Sequence, residues 1–179
     1  MEEVILVNDL DEQIGLMEKL EAHEKGLKHR AFSVFVFNSK GEMLIQRRAI
    51  HKYHSGGLWS NACCSHPRNE EDTINAANRR LFEEMGMKSF LDFSFKFSYE
   101  AAFSNGLIEH ELDHVFIGYS DEAPLINTEE VCDWKYISKQ ALLEDMEKHP
   151  YNYTEWFKIC LVELYNRIDF SAEKNVKYA

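Results

Sequence analysis

Residues 71–86 read EDTINAANRRLFEEMG, and the rest of the chain is best understood outward from this stretch. Ile74, Ala77, Leu81 and Met85 recur at helical spacing and Gly86 follows as a C-terminal stop, so the pattern predicts a helix over Glu71 to Met85. Glu84 stands four residues after Arg80, which sets both on one side of that helix. A guanidinium so placed can pair with phosphate while the carboxylate helps hold a Mg2+ ion that bridges to it.

Strands are predicted on both flanks. Ala31–Phe37 (AFSVFVF) is rich in β-branched and aromatic residues, NSKGE supplies turn chemistry and MLIQRR resumes, a hairpin pattern. Upstream, Val4–Val7 is a short apolar run, and EQIGLMEKL, residues 12–20, reads as a second strand. Downstream, Phe90–Tyr99 alternates, Leu107–Tyr119 carries IEHELDHVFIGY, and Val131–Ile137 continues the strand signal. Lys139–Lys148 and Tyr153–Ile168 read as closing helices. Strands and helices mixed without strict alternation argue for an α/β (α+β) class, a mixed β-sheet covered by helices. With no repeat, linker or low-complexity tract, and about 100–200 residues to a domain, residues 1–179 are expected to form a single domain.

The balance of 20 Lys plus Arg against 31 Asp plus Glu gives a net charge of −11, which excludes a broad field attracting nucleic acid. No run approaches the ~18 consecutive apolar residues of a membrane helix, and the opening MEEVILVNDLDEQ is acidic where a targeting peptide is basic. Four cysteines, two of them adjacent at Cys63 and Cys64, do not make a disulfide scaffold. Reduced thiols and a cytoplasmic location are the expectation.

Three further clusters carry chemical types that matter jointly. SNACCSHP, Ser60–Pro67, sets a cysteine two residues from a histidine, an arrangement that can activate a thiol, although buried cysteines and a turn histidine would look the same. Period-two geometry puts Glu109, Glu111 and Asp113 on one strand face, which on an outer strand would be merely solvated; His110 and His114 intrude on the opposite face and are read as structural. His23 and His29, joined with His66, Glu109 and Glu111, make a three-imidazole, two-carboxylate set suited to an octahedral Mn2+ or Mg2+ ion, or to Zn2+. Arg47, Arg48, His51 and Lys52, with Lys19, form a local basic group in an acidic chain, which suits a ligand with one anionic and one greasy end.

The helix segment resembles part of a Nudix box. Ser65, Glu71, Arg79, Arg80, Glu83, Glu84 and Gly86 occupy the pattern's spacing, with Ser65 in place of the first glycine and Arg80 in place of a glutamate. Taken with HRAFSVFVFNSKGEMLIQRRA, GLWSNACCSHP, IEHELDHVF and TEWF, the chain from Val4 to Tyr165 resembles the type 1 isopentenyl-diphosphate delta-isomerases of the Nudix superfamily. Many members carry Thr where this chain has Ser60 and Ala62. The resemblance implies a Nudix-like fold that interconverts isopentenyl and dimethylallyl diphosphate through a tertiary carbocation. It further implies that Cys64 and Glu111 are the acid/base pair, assisted by Tyr99, and that His23, His29, His66, Glu109 and Glu111 ligate a metal. By the same likeness Glu84 serves a diphosphate-linked Mg2+, Lys19, Arg48, Lys52 and Arg80 bind the diphosphate, and Trp156 lines the hydrocarbon pocket. Two other readings stand beside it: a Nudix hydrolase of a nucleoside or alkyl diphosphate, supported by the Glu83–Glu84 pair, and a catalytically silent Nudix-like binding module.

Overall fold

The computed structural model describes residues 2–52, 54–103 and 106–168. Nine strands and four helices follow in the order β1 (Glu3–Val7), β2 (Gln13–Glu18), α1 (Lys19–Lys25), β3 (His29–Phe37), β4 (Met43–Arg48), β5 (Trp59–Asn61), β6 (Cys63–Ser65), α2 (Thr73–Met85), β7 (Leu91–Ala102), β8 (Ile108–Tyr119), β9 (Val131–Ile137), α3 (Lys139–Lys148) and, after a 3-10 turn at Pro150–Asn152, α4 (Glu155–Arg167).

The sheet is organised on β3. Its sequence is a nearly unbroken apolar run because both faces are covered, the signature of an interior strand. β8 runs parallel to it from His29↔Glu111 to Phe37↔Tyr119, occupying one edge completely. The other edge is shared in succession by β1 at His29, by β6 at Phe32–Val34 and by β4 at Phe37. β7 closes antiparallel on β8, and β9 and β5 flank β4. The sheet is therefore mixed, as expected, but the predicted hairpin is one only near its turn. β3 and β4 register at Phe37↔Met43, and Asn38 N–H donates to Glu42 O at 3.0 Å before the strands part to other partners.

Period-two alternation sorts β3 between two layers. Phe35 and Phe37 join Phe97, Tyr99, Val115 and Ile117 beneath Trp156, Phe157, Cys160, Leu161 and Leu164 of α4. Phe32, Val34 and Val36 join Phe116 beneath Ala76, Ala77, Leu81 and Met85 of α2. Each fully buried side chain such as Leu81 stabilises this layer by about 1.5–3 kcal/mol relative to exposure, which fixes the two helices on opposite faces.

Several boundaries differ from the sequence reading for identifiable reasons. α2 starts at Thr73 because Glu71 instead grips Arg79 in a two-pronged ion pair, Nε–Oε1 and Nη2–Oε2 both 2.8 Å. Tyr153 precedes α4, bridges to Trp59 and donates its hydroxyl to Asp145. The seven-residue α1 was not foreseen; it is too short for a periodic signal and is defined by its ends, Glu18 accepting from Glu21 N–H and Gly26 adopting the left-handed conformation at φ 61°. β5 and β6, three residues each, were also not foreseen.

Candidate active site

The sharing of the two edges of β3 builds the site. β6 on one edge brings Cys64 opposite Ser33, and β8 on the other brings Glu111 opposite His29. β7 sets Tyr99 directly across from Glu111. α1 contributes Lys19 and His23, the end of β4 Arg48, the following connection Lys52, α2 Arg80 and Glu84, and the first turn of α4 Trp156. All of these, with His66 and Glu109, line one cavity of about 330 Å3; of the residues to which the family resemblance gives a site role, only the fully buried His29 is not among its walls.

At one end stands a knot of unpaired nitrogen. His23, His29, His66 and Glu111 each offer a ligating atom within 4.8 Å of the others. His66 Nε2 and His29 Nε2 lie 3.1 and 3.6 Å from Glu111 Oε1. Both ring nitrogens of His23, Nε2 of His29 and Nδ1 of His66 are buried with no hydrogen-bond partner, a costly arrangement unless something else satisfies them. Burial, reinforced by the neighbouring imidazoles, pushes His23 down to about 3. Burial likewise lowers His66 to about 4 against the pull of Glu111. Neutral imidazoles beside a carboxylate are the ligand form a divalent cation requires, so these residues fit a metal site.

The strand that carries Glu109, Glu111 and Asp113 is an interior one and not the outer one on which they would be solvated, and its carboxylates are accordingly perturbed. Burial would raise Glu111, but its contacts with His29 and His66 outweigh that and hold it well below the usual carboxylate range. Glu109 stands outside the knot; burial and the charge of Glu111 lift it to about 8. Tyr99 Oη bridges the two, donating to Glu111 Oε2 at 2.7 Å and lying 3.3 Å from Glu109 Oε2. Burial and both carboxylates push its phenol well above the usual value, so it remains a donor. Asp113, on the same strand face, points deeper and accepts from Ser33 Oγ at 2.9 Å and Cys160 Sγ at 3.0 Å. His110 and His114 are turned to the other face, against Gly26 O at 3.2 Å and Asp11 at 2.9 Å.

The same cavity is lined by cations, of which Lys19, Lys52 and Arg80 are held by internal carboxylates. Lys19 pairs with Glu2 at 3.3 Å and Lys52 with Glu130 at 2.5 Å. Arg80 Nη2 reaches Glu84 at 2.6 Å and Glu130 at 3.3 Å. Glu84 also accepts from Gln46 Nε2 at 2.8 Å, which satisfies its buried charge. Arg48 donates to His54 O at 3.2 Å and lies 5.2 Å from the Trp156 ring centroid. The Nε donors of Arg48 and Arg80 are buried without partners, leaving two guanidinium N–H groups for an anionic ligand. Of the basic group read in sequence, Arg47 and His51 lie outside this cavity; Arg47 donates to Gly57 O at 2.8 Å and His51 is 3.6 Å from Glu129.

The adjacent thiols separate across the sheet. Cys64 faces the cavity, and burial pushes its thiol up to about 12 despite the opposing charge of Arg48. Cys63 faces α2, with Sγ 3.5 Å from Glu84 Oε1. Among the cavity residues that the sequence does not mark, His54 and Glu130 touch the site residues directly. His54 sits 4.5 Å from Phe103 and 5.4 Å from Trp156 between ring centroids, with Nε2 3.3 Å from Glu109. Glu130 arrives from the far side of the chain to meet Lys52 and Arg80. Both sit outside regular elements, where no periodic pattern marks the inward direction.

The NUDIX domain family matches residues 27–157. Solved structures agree on the fold: DR0079 from Deinococcus radiodurans superposes with a TM-score of 0.73 at 18% identity, covering 90% of this chain and 98% of that one. The MutT protein from Methanosarcina mazei Go1 does so with a TM-score of 0.61 at 18% identity, covering 78% and 94%. The chain is a Nudix-fold protein. Among curated relatives, isopentenyl-diphosphate Delta-isomerase 2 of Aromatoleum aromaticum is 49% identical over 89% of this chain and 85% of its own length. The isopentenyl-diphosphate Delta-isomerase of Pectobacterium atrosepticum is 48% identical over 90% of both. The chain belongs to the isopentenyl-diphosphate delta-isomerase family.

Proposed function

We propose that this protein interconverts isopentenyl diphosphate and dimethylallyl diphosphate. The observation that carries this reading is the placement of Cys64 and Glu111, from strands on opposite edges of β3, on one cavity that is also lined by Trp156 and by the cations Lys19, Arg48, Lys52 and Arg80. Moving the double bond adds a proton at the terminal alkene carbon and removes one from the carbon next to the oxygen-bearing carbon, through a tertiary cation. Cys64 and Glu111 serve as proton donor and proton acceptor on either side of the carbon skeleton, one giving the proton the alkene gains and the other taking the proton it loses, and Tyr99 Oη, donating to Glu111, can relay protons to it. The Trp156 indole is electron-rich without being a nucleophile, and its face stabilises a desolvated cation by about 2 kcal/mol. Tyr99, Glu111 and Trp156, all buried, wall off the reacting end from the water that would capture that cation. Lys19, Arg48, Lys52 and Arg80, all on the cavity wall, hold the diphosphate.

His23, His29, His66 and Glu111, with Glu109 alongside, would hold a divalent Mn2+, Mg2+ or Zn2+ ion, and Glu84 a Mg2+ ion linked to the diphosphate. When bound, such ions supply fixed positive charge that keeps a carboxylate ionised and neutralises phosphate oxygens. Hydrolysis is disfavoured by Arg80, which stands where the Nudix box has a glutamate: it removes one carboxylate that could hold a metal on the diphosphate and sets a cation beside Glu83 and Glu84. Among the described residues no helix is long and apolar enough to cross a membrane. The four free cysteines support assignment to the reducing cytoplasm.

Incubation with isopentenyl diphosphate and Mg2+ in heavy water tests the reading. Dimethylallyl diphosphate carrying deuterium is the expected product. Release of inorganic phosphate or a monophosphate with no alkene shift would overturn it in favour of the hydrolase.

A further inference from the structure

Ser60 joins the two reactive walls of the cavity. It is 1% exposed, and its Oγ lies 2.9 Å from Trp156 Nε1, 3.2 Å from Thr154 Oγ1, 3.0 Å from Asn61 Oδ1 and 3.9 Å from Cys64 Sγ. Counting hydrogens assigns the direction of these contacts. Asn61 Nδ2 gives its two hydrogens to Val34 O at 3.2 Å and Cys63 O at 2.8 Å, so Oδ1 is the acceptor end of that amide. The Ser60 hydroxyl proton therefore goes to Asn61 Oδ1, which leaves its two lone pairs to accept. The indole N–H of Trp156 can only donate and takes one of them. The other is turned to the Thr154 hydroxyl and to the Cys64 thiol, the latter at the long limit for an S–H donor.

We propose that Ser60 is a positioning residue for the isomerisation: its hydroxyl, oriented by Asn61, fixes the rotation of the Trp156 indole over the reacting carbons and the direction of the Cys64 side chain at the same time. Attraction of a cation to an aromatic ring is directional, favouring the face over the edge. An indole deprived of its only polar partner is free to turn in the slot, and the buried N–H it leaves unsatisfied drives that turning. None of the four cations touches Ser60, and of them Arg48 alone, 5.2 Å from the Trp156 ring centroid, meets the indole, so the change falls mainly on the reacting end of the cavity.

Ser60's part rests on the isomerase reading, and the two fail differently. Wild-type protein that yields no dimethylallyl product overturns the reading itself, whereas active wild type with an undiminished Ser60→Ala variant overturns only the role of Ser60. In steady-state assays with isopentenyl diphosphate, Ser60→Ala is expected to lower kcat about 10–100-fold while KM stays within about two-fold. Ser60→Thr, which keeps the hydroxyl, should restore kcat to within about three-fold of wild type. In a Trp156→Phe background, which has no N–H to lose, the same alanine change should cost clearly less than in wild type, only the share that acts through Cys64 remaining. Equal damage in both backgrounds, no rescue by threonine, or a rise in KM at constant kcat would each overturn the assignment. Should the alanine variant fail to fold, Ser60→Cys, of similar volume but a poor acceptor, takes its place in the same cycle under reductant, with the same outcomes deciding.

Discussion

At the scale of single residues, the adjacent pair Cys63 and Cys64 shows how the sheet assigns chemistry. One step along β6 turns a side chain from the α4 layer to the α2 layer, so two identical thiols acquire different fates. Cys64→Ala is expected to lower turnover by about 10²–10⁴-fold, the range for loss of a general acid or base, with an unchanged melting temperature. Cys63→Ala should keep its turnover within a few-fold and lose about 1 kcal/mol of stability, because it only trims a packed contact with α2. Comparable loss of turnover in both would reverse the assignment. The sequence shows that Glu109, Glu111 and Asp113 share a face, since period two is arithmetic. It does not show that the face is buried, because that depends on β3 and β7 taking both edges of β8. His54 and Glu130 lie outside any repeating pattern, so nothing in the sequence distinguishes them from His51 and Glu129, which face outward.

Among elements, the long periodic ones are legible and the short ones are not. α3 and β9 begin and end where their patterns do, whereas α1, β5 and β6 are made by their neighbours: β5 and β6 exist because β4 and β3 offer them an edge. The connection from β4 to β5 is the element where this matters most, since it carries Lys52 and His54 into the cavity with no strand to hold them. It is held by backbone closeness instead. A Cβ on Gly56 would stand 2.4 Å from Ile50 O and 3.0 Å from Lys52 O, both backbone atoms. Gly56→Ala must therefore move the turn that presents Lys52. Its expected effect is a KM for isopentenyl diphosphate raised about ten-fold with kcat changed little, the signature of lost uniform binding. Steady-state kinetics with unchanged KM would show that Lys52 is held by Glu130 alone.

For the whole molecule, a net charge of −11 surrounds a cavity in which Lys19, Lys52 and Arg80 are each paired with an internal carboxylate, so the long-range field does not steer an anionic substrate and local pairing governs its capture. The same local logic ties the N-terminal hairpin, which leads into α1 and Lys19, to the rest of the sheet. Asp11, in the turn between β1 and β2, meets Arg30 Nε at 2.7 Å on β3, Lys96 Nζ at 3.0 Å on β7 and His114 Nε2 at 2.9 Å on β8. Burial alone would raise its carboxyl, but hydrogen bonds from Arg30 and Lys96, with the charge of His114, hold it below the usual value of 3.8. Burial lowers His114, so at neutral pH the lasting charges are those of the arginine and lysine. Because the folded-state pKa is depressed, the stability Asp11 contributes is fully present above its unfolded value and is lost as pH falls through the folded one. Asp11→Asn is a clean probe, since the residue sits at φ 67° and asparagine tolerates that left-handed conformation. The variant is expected to be less stable by about 1–2 kcal/mol at pH 7. In thermal melts that is a drop of about 2–8 °C, and the gap from wild type should narrow as pH falls below about 4. A gap of constant size down to pH 2 would mean that the pairing contributes shape rather than charge, and that the hairpin is held by packing alone.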